Sequence, residues 1–420
     1  MLKNNVSVLI IICALISSLS AQNQNEFNFF DEIKVEVKNP TEIERIDELV
    51  SINISKLTTV KKNFNKDGFV IYENENEIPS QLNCGELNCE IIFVCDFKPN
   101  EIKIFSVNYL EKGKLRRNYK NRTYAELAMK FNAVYKDKKF NGDGFQNFTK
   151  VLVPKIHTDH DALFKYEGPG WESEKVGYRF YLDWRNATDI FGKKVNELVL
   201  SKVGNKDVTA IEDSYHNMLD WGMDIFKVGN SLGIGSIGMV EKGKIEMVHK
   251  TNEITCEITE NGPIFSQVKT SYYGWIVSEK KYDLVSNLSI NAGSRITNVN
   301  LTINNGAKNI TTGLAKHPDT DFIKSKQNSD WQYIALYGKQ TLNNDNAGIV
   351  LFYKNSDLIS QGEDELNYYV SLKPKNSKVN YAFAAAWELE PNGVKNKAGF
   401  EKYINDELTK LNYPMVVTIN

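Results

Sequence analysis

The feature that most constrains this chain is its strand-length patterning. Short segments apolar at alternate positions recur through most of the sequence, and Gly, Asn, Asp and Pro punctuate the gaps. Early segments of this kind run over 33–37, 50–54, 69–72, 90–94 and 102–107. Later ones are longer and richer in aromatic residues: 178–184, 245–250, 254–258, 264–277, 282–290, 297–303, 331–337, 348–353, 368–372 and 381–388. So many strands at close spacing, without alternating helices, predict a mainly β protein built of sandwiches rather than βα units. Good helix formers at helical spacing predict a helix over 124–135, through Leu127, Met129, Phe131 and Val134, followed by a loop over 136–147. A second helix is expected over 398–411.

The N-terminus reads differently. Lys3 precedes an apolar run over 6–19 that is too short to span a bilayer, and small residues at Ser18 and Ser20 fit a cleavage site. Residues 1–21 are therefore expected to be a cleavable signal peptide. No basic flank follows to stop transfer, and Cys13 lacks the small residues of a lipoprotein signal, so a soluble periplasmic protein with no membrane span is expected. The remaining chain exceeds one ordinary domain. The expected divisions are an N-terminal β-sandwich over 26–115, a helical or loop connection over 116–150, and a large β-sandwich with few helices over 151–420.

The formal charge of −2 gives no bulk attraction for nucleic acid. In an oxidising compartment Cys84 and Cys89 are placed to bridge, while Cys95 falls in a strand and reads as a small buried apolar group. No His lies nearby to complete a zinc set. Gly233, Gly235 and Gly238 match the letters of a dinucleotide fingerprint, but the Gly-broken strand that follows points to a tight β connection.

Chemistry concentrates over 157–186. With period two, Tyr178, Phe180, Leu182 and Trp184 face a core, and Arg179, Tyr181, Asp183 and Arg185 form the opposite row, about 7 Å between successive members. That row suits an extended acidic sugar; it also suits a solvated ladder of ion pairs. His157 and His160, interleaved with Asp159 and Asp161, have three readings: a divalent-metal pair, a base oriented by a carboxylate, or a polar turn. Around His216 an irregular segment mixes Tyr215, Asn217, Asp220 and Trp221, the groups a sugar-binding loop uses for stacking and hydrogen bonding. His317 sits on a loop beside Lys316, and His249 reads as a structural residue on a strand.

The runs Glu167-Gly-Pro-Gly-Trp-Glu-Ser-Glu-Lys-Val-Gly-Tyr-Arg-Phe-Tyr-Leu-Asp-Trp-Arg-Asn-Ala-Thr-Asp-Ile-Phe-Gly-Lys193, Tyr215-His-Asn-Met-Leu-Asp-Trp-Gly-Met-Asp224 and Gly262-Pro-Ile-Phe-Ser266 resemble a secreted bacterial family of polysaccharide-utilisation loci. That family is long known only as a domain of unknown function and is typified by the ulvan oligosaccharide dehydratase. By analogy of fold, the large sandwich is expected to be of the galactose-mutarotase kind.

The activity the resemblance implies removes water across C4 and C5 of the uronic acid at the non-reducing end of a uronate-containing oligosaccharide, with no cofactor. A lyase cutting by β-elimination, and a non-catalytic carbohydrate-binding protein, are the alternatives. Elimination needs a cation for the carboxylate, a base for the C5 proton and an acid for the leaving oxygen. On this chain the expected carboxylate grips are Arg179 and Arg185. His216 is the expected base, and Tyr215 or Tyr181 the proton donor. Asp183, Trp221, His157, His160 and His317 complete the expected substrate contacts.

Overall fold

The structure, a computed structural model, describes residues 29–85, 88–204, 214–326 and 328–420. The expected signal peptide lies outside the described residues. The protein is mainly β. No described helix is long and apolar enough to cross a membrane.

The small sandwich packs two antiparallel sheets. One runs in the order Val416–Ile419, Asp31–Lys38, Ile102–Tyr109, Phe69–Glu73, Asn76–Ile78, and the other Arg45–Asn53, Cys89–Phe97, Ser80–Cys84. Alternation puts Val35, Val37, Val50, Ile52, Phe93, Phe105 and Val107 into one buried cluster between them. Cys84 and Cys89 sit directly opposite each other in a hairpin and are disulfide-bonded, as their spacing anticipates. Cys95 is half-buried beside Lys103 and Glu73, not enclosed in apolar surroundings as expected. The final strand is a surprise: residues 416–419 leave the large sandwich and complete the first sheet of the small one.

The connection over 116–150 is corrected. Where a helix is expected, Thr123–Glu126, Ala128–Lys130 and Val134–Lys136 are strands, and Lys139–Asn141 and Phe145–Asn147 follow in place of a loop. Pairing of Thr123–Glu126 with Gly170–Ser173 and left-handed backbone at Asn132, Asp137 and Lys138 override a helical propensity that is only a weak prior.

In the large sandwich nine strands form one layer, in the order Lys150–Leu152, Glu253–Asn261, Phe265–Val277, Lys280–Asn291, Ile296–Ile303, Lys378–Trp387, Asn346–Lys354, Trp331–Lys339, Thr320–Lys324. Two five-stranded sheets face it. One is Gly222–Asp224, Thr188–Lys193, Gly177–Phe180, Gly170–Ser173, Thr123–Glu126; the other is Lys244–Met247, Gly238–Glu241, Ile310–Ala315, Asn367–Leu372, Leu358–Glu363. Trp171, Tyr178 and Ile190 of the first, Leu314 and Val370 of the second, and Leu288, Leu351 and Phe383 of the nine-stranded sheet share a single core.

Helix Lys397–Asn412 covers the far side of the nine-stranded sheet. Phe400, Ile404 and Leu408, spaced four apart on one face, lie over Ala382, Ala384 and Ala386, whose small side chains let the helix approach. Gly348 completes that seat, because a Cβ there would lie 2.4 Å from the Phe400 ring. The glycines at 233–238 form a close β connection, as expected. Gly235 has φ 70°, and a Cβ there would lie 2.3 Å from the Phe383 ring. His249 is exposed in the turn after Lys244–Met247, a correction to its reading as a structural strand residue: the strand ends before Val248 turns inward.

Candidate active site

The first five-stranded sheet has two contrasting faces, and its register explains both. Trp171, Tyr178 and Ile190 point to the core. Directly paired positions on the other side carry Glu126, Gly170, Arg179 and Asp189 in one row, and Glu172, Gly177, Phe191 and Asp224 in the next. This second face is also buried, beneath Tyr166, Val199, Leu200 and Tyr215. A charged sheet face has thus been roofed over, and its charges must find partners inside the protein.

Arg179 stands at the centre. Its Nη2 donates to Asp224 Oδ2 at 2.5 Å, Asp189 Oδ2 at 2.9 Å and the Tyr181 hydroxyl at 2.9 Å, while Nη1 donates to the Tyr215 hydroxyl at 3.2 Å. Glu167 Oε2 lies 3.6 Å from Nη1. Tyr181 donates a short hydrogen bond to Asp189. The expectation that Arg179 grips a ligand carboxylate is corrected by this inventory: the guanidinium is buried and committed to protein acids. Burial pushes Asp189 up first, and neighbouring Asp224 adds to it, to about 7. The cause is plain, since two buried carboxylates share one guanidinium.

His216 lies against this cluster. Its Nε2 is 3.0 Å from Asp224 Oδ2; the aspartate is buried, whereas the imidazole side chain is 37% exposed. The ring packs on Tyr215 at 4.6 Å between centroids. A buried carboxylate that orients a half-open imidazole is the arrangement of a general base and its positioning partner. Tyr181 is held well above the ordinary phenol range by burial first, against the opposing Arg179 charge, so its hydroxyl keeps the proton it donates to Asp189.

Arg185 caps the group from outside. Its guanidinium stacks 3.8 Å above the Tyr181 ring, pairs with Asp183, and reaches Glu167 Oε1 at 2.8 Å. Burial alone would raise Glu167, but Arg179 and Arg185 outweigh it and leave the carboxyl below its usual range. Arg185, Glu167, Arg179 and Asp224 therefore form one continuous chain of ion pairs, and His216 meets Asp224 at its inner end.

The regular strand ends at Phe180, and residues 181–186 turn, which corrects two expectations about the 178–184 segment. Asp183 is buried against Arg185 instead of lining an open row, and Trp184 is 46% exposed instead of packed in the core. Trp221 is half-buried edge-on to Phe191, a packing position. His157 and His160 have separate partners. His157 Nδ1 bonds Asp161 Oδ2 at 2.8 Å inside the protein, while His160, in left-handed backbone at φ 57°, stands in solvent near Asp159 and Glu167. No group of three or more potential metal ligands occurs among the described residues. His317 packs on Phe226, and burial lowers its basicity.

Sequence reasoning missed Asp189, Asp224 and Glu167. Extending period two along Thr188–Lys193 would have placed Asp189, Phe191 and Lys193 on the face opposite Ile190.

Comparison with known proteins adds a family. An uncharacterized protein (P7) of Formosa agariphila is 27% identical over 271 residues, which is 59% of this chain and 66% of that protein. Among solved structures, an alpha-mannosidase from Enterococcus faecalis superposes with a TM-score of 0.46 at 9% identity, over 93% of this chain and 46% of that one. A glycosyl hydrolase family 38 protein of the same organism gives 0.45 at 9% identity, over 93% and 47%. This chain thus spans about half the length of each of those structures. Residues 37–417 match the Domain of unknown function (DUF4861), and the chain belongs to that family.

Proposed function

We propose that this protein is an oligosaccharide dehydratase of the periplasm, forming a 4,5-unsaturated uronic acid at the non-reducing end of uronate-containing, ulvan-type oligosaccharides. The observation that carries the reading is the His216–Asp224 pair, a half-exposed imidazole oriented by a buried carboxylate beside two phenols.

In this reading His216 takes the C5 proton. The electron pair left on C5 is delocalised into the carboxylate, then forms the C4–C5 double bond as the C4–O bond breaks, and the hydroxyl leaves as water with a proton from Tyr215 or Tyr181. Arg179 works one layer below, fixing Tyr181, Tyr215 and Asp224 in place. The substrate carboxylate is met by the exposed imidazole of His160 and by Arg185, whose guanidinium is the outer end of the Glu167 chain and turns from Glu167 to the ligand.

Incubation of the protein with uronate-terminated oligosaccharides tests this directly. Dehydration removes one water by mass spectrometry with chain length kept, and an ultraviolet chromophore appears. Shorter chains with an unsaturated end would instead mean a lyase, and binding without either product would mean a carbohydrate-binding protein.

A further inference from the structure

The turn between Gly177–Phe180 and Thr188–Lys193 carries Trp184 at its tip. That turn is fixed from several directions. The Asn186 amide donates to the Asp183 carbonyl at 3.1 Å, and Asp183 Oδ1 accepts both the Arg185 amide and its Nε at 2.9 Å. Asn186 takes left-handed backbone at φ 45°, and Leu182 and Asn186 are buried on either side of the tip. A rigid turn thus holds the largest apolar side chain nearly half in water, although its neighbours in the sequence pattern find the core.

The indole has its own restraint. Nε1 donates to Asp159 Oδ1 at 3.2 Å, so the polar edge of the ring is satisfied by the protein and its apolar surface is what the ring offers. The same Asp159 carboxylate lies 3.4 Å from the His160 imidazole, whose side chain is 67% exposed, so both groups belong to the surface next to the indole; the next residue is Arg185, at the mouth of the ion-pair chain. A fixed aromatic surface rimmed by a carboxylate and an imidazole complements a pyranose ring, which has C–H groups on a face and hydroxyls around its edge.

We infer that Trp184 is the stacking platform for the sugar next to the reacting uronate, so that the site takes an oligosaccharide in preference to a single sugar. This rests on the saccharide reading of the site, but not on the reaction assigned to it. Asp159 is the positioning residue that sets the plane of the indole.

Isothermal calorimetry on the full chain tests the inference, using a uronate-terminated trisaccharide and the free uronic acid with wild type, Trp184→Ala and Trp184→Phe. The expected result is at least tenfold weaker trisaccharide binding by Trp184→Ala, near-complete recovery by Trp184→Phe, and unchanged binding of the free uronic acid. The thermal midpoint of each variant confirms folding. Equal trisaccharide binding by wild type and Trp184→Ala overturns the platform, even if wild type releases water from the same sugar. Trp184-dependent binding without release of water leaves the platform standing and removes the dehydratase. A wild-type chain that binds neither sugar removes both.

Discussion

Two of the histidine–aspartate pairs among the described residues have almost the same geometry. His157 meets Asp161 at 2.8 Å, and His216 meets Asp224 at 3.0 Å. Their surroundings differ. The His157 side chain is 1% exposed, its Nε2 is buried without a partner among the described residues, and Asp161 also accepts the amides of Thr158 and Leu163. That aspartate ties a turn together, and the imidazole is one of its strands of string. Asp224 instead divides its oxygen between Arg179 and a half-exposed ring. The difference teaches that what a His–Asp pair is able to do depends on access and neighbouring charge, not on its own length.

The comparison can be broken by experiment, and the largest effect should fall on His216. Replacement by Ala is expected to lower the rate of water release by about 10²–10⁴-fold, the usual share of a general base, while the thermal midpoint stays close to wild type. Normal product formation by His216→Ala would end its role as base. The same change at His157 should do the reverse. Loss of a buried ring packed edge-on to Phe164, and of its bond to Asp161, is expected to cost about 2–3 kcal/mol in denaturant unfolding, with activity per folded molecule retained.

A smaller effect concerns pH. Asp189 binds its proton more tightly folded than unfolded, so its contribution to stability is full below the ordinary carboxylate value of 3.8 and is lost as pH rises through about 7. Asp189→Asn keeps a neutral group there at every pH. Between those limits the wild-type thermal midpoint should fall relative to Asp189→Asn by about 2–4 °C. Parallel curves for the two proteins would mean that Asp189 is ionised throughout and that Arg179 balances both acids.

How much of this could be read in the sequence depended on whether the cause was local. Most strand positions were legible, because alternation over 264–277 or 282–290 is a property of the segment itself, and so was the helix that became Lys397–Asn412. The residues 124–135 misled, since their helical spacing lost to pairing with Gly170–Ser173. At the site, His216, Tyr215, Tyr181 and Arg179 were recognisable by type and do converge. Their hierarchy was hidden. That Arg179 is an internal counter-ion follows from Asp189 and Asp224 on neighbouring strands, and that Trp184 faces water follows from a strand ending at Phe180. Both are facts of register and turn, beyond the reach of residue spacing alone.

The pairing of Val416–Ile419 with Asp31–Lys38 has a consequence for how the molecule is made. Val417 and Ile419 pack against the small sandwich's core, so a domain built from residues 31–109 has one sheet edge sealed by a strand more than 300 residues further along the chain. Contacts this distant in sequence form late and slowly. The small sandwich is therefore closed across the length of the large one, and the four-residue strand Val416–Ile419 works as a clasp between two distant parts of the sequence.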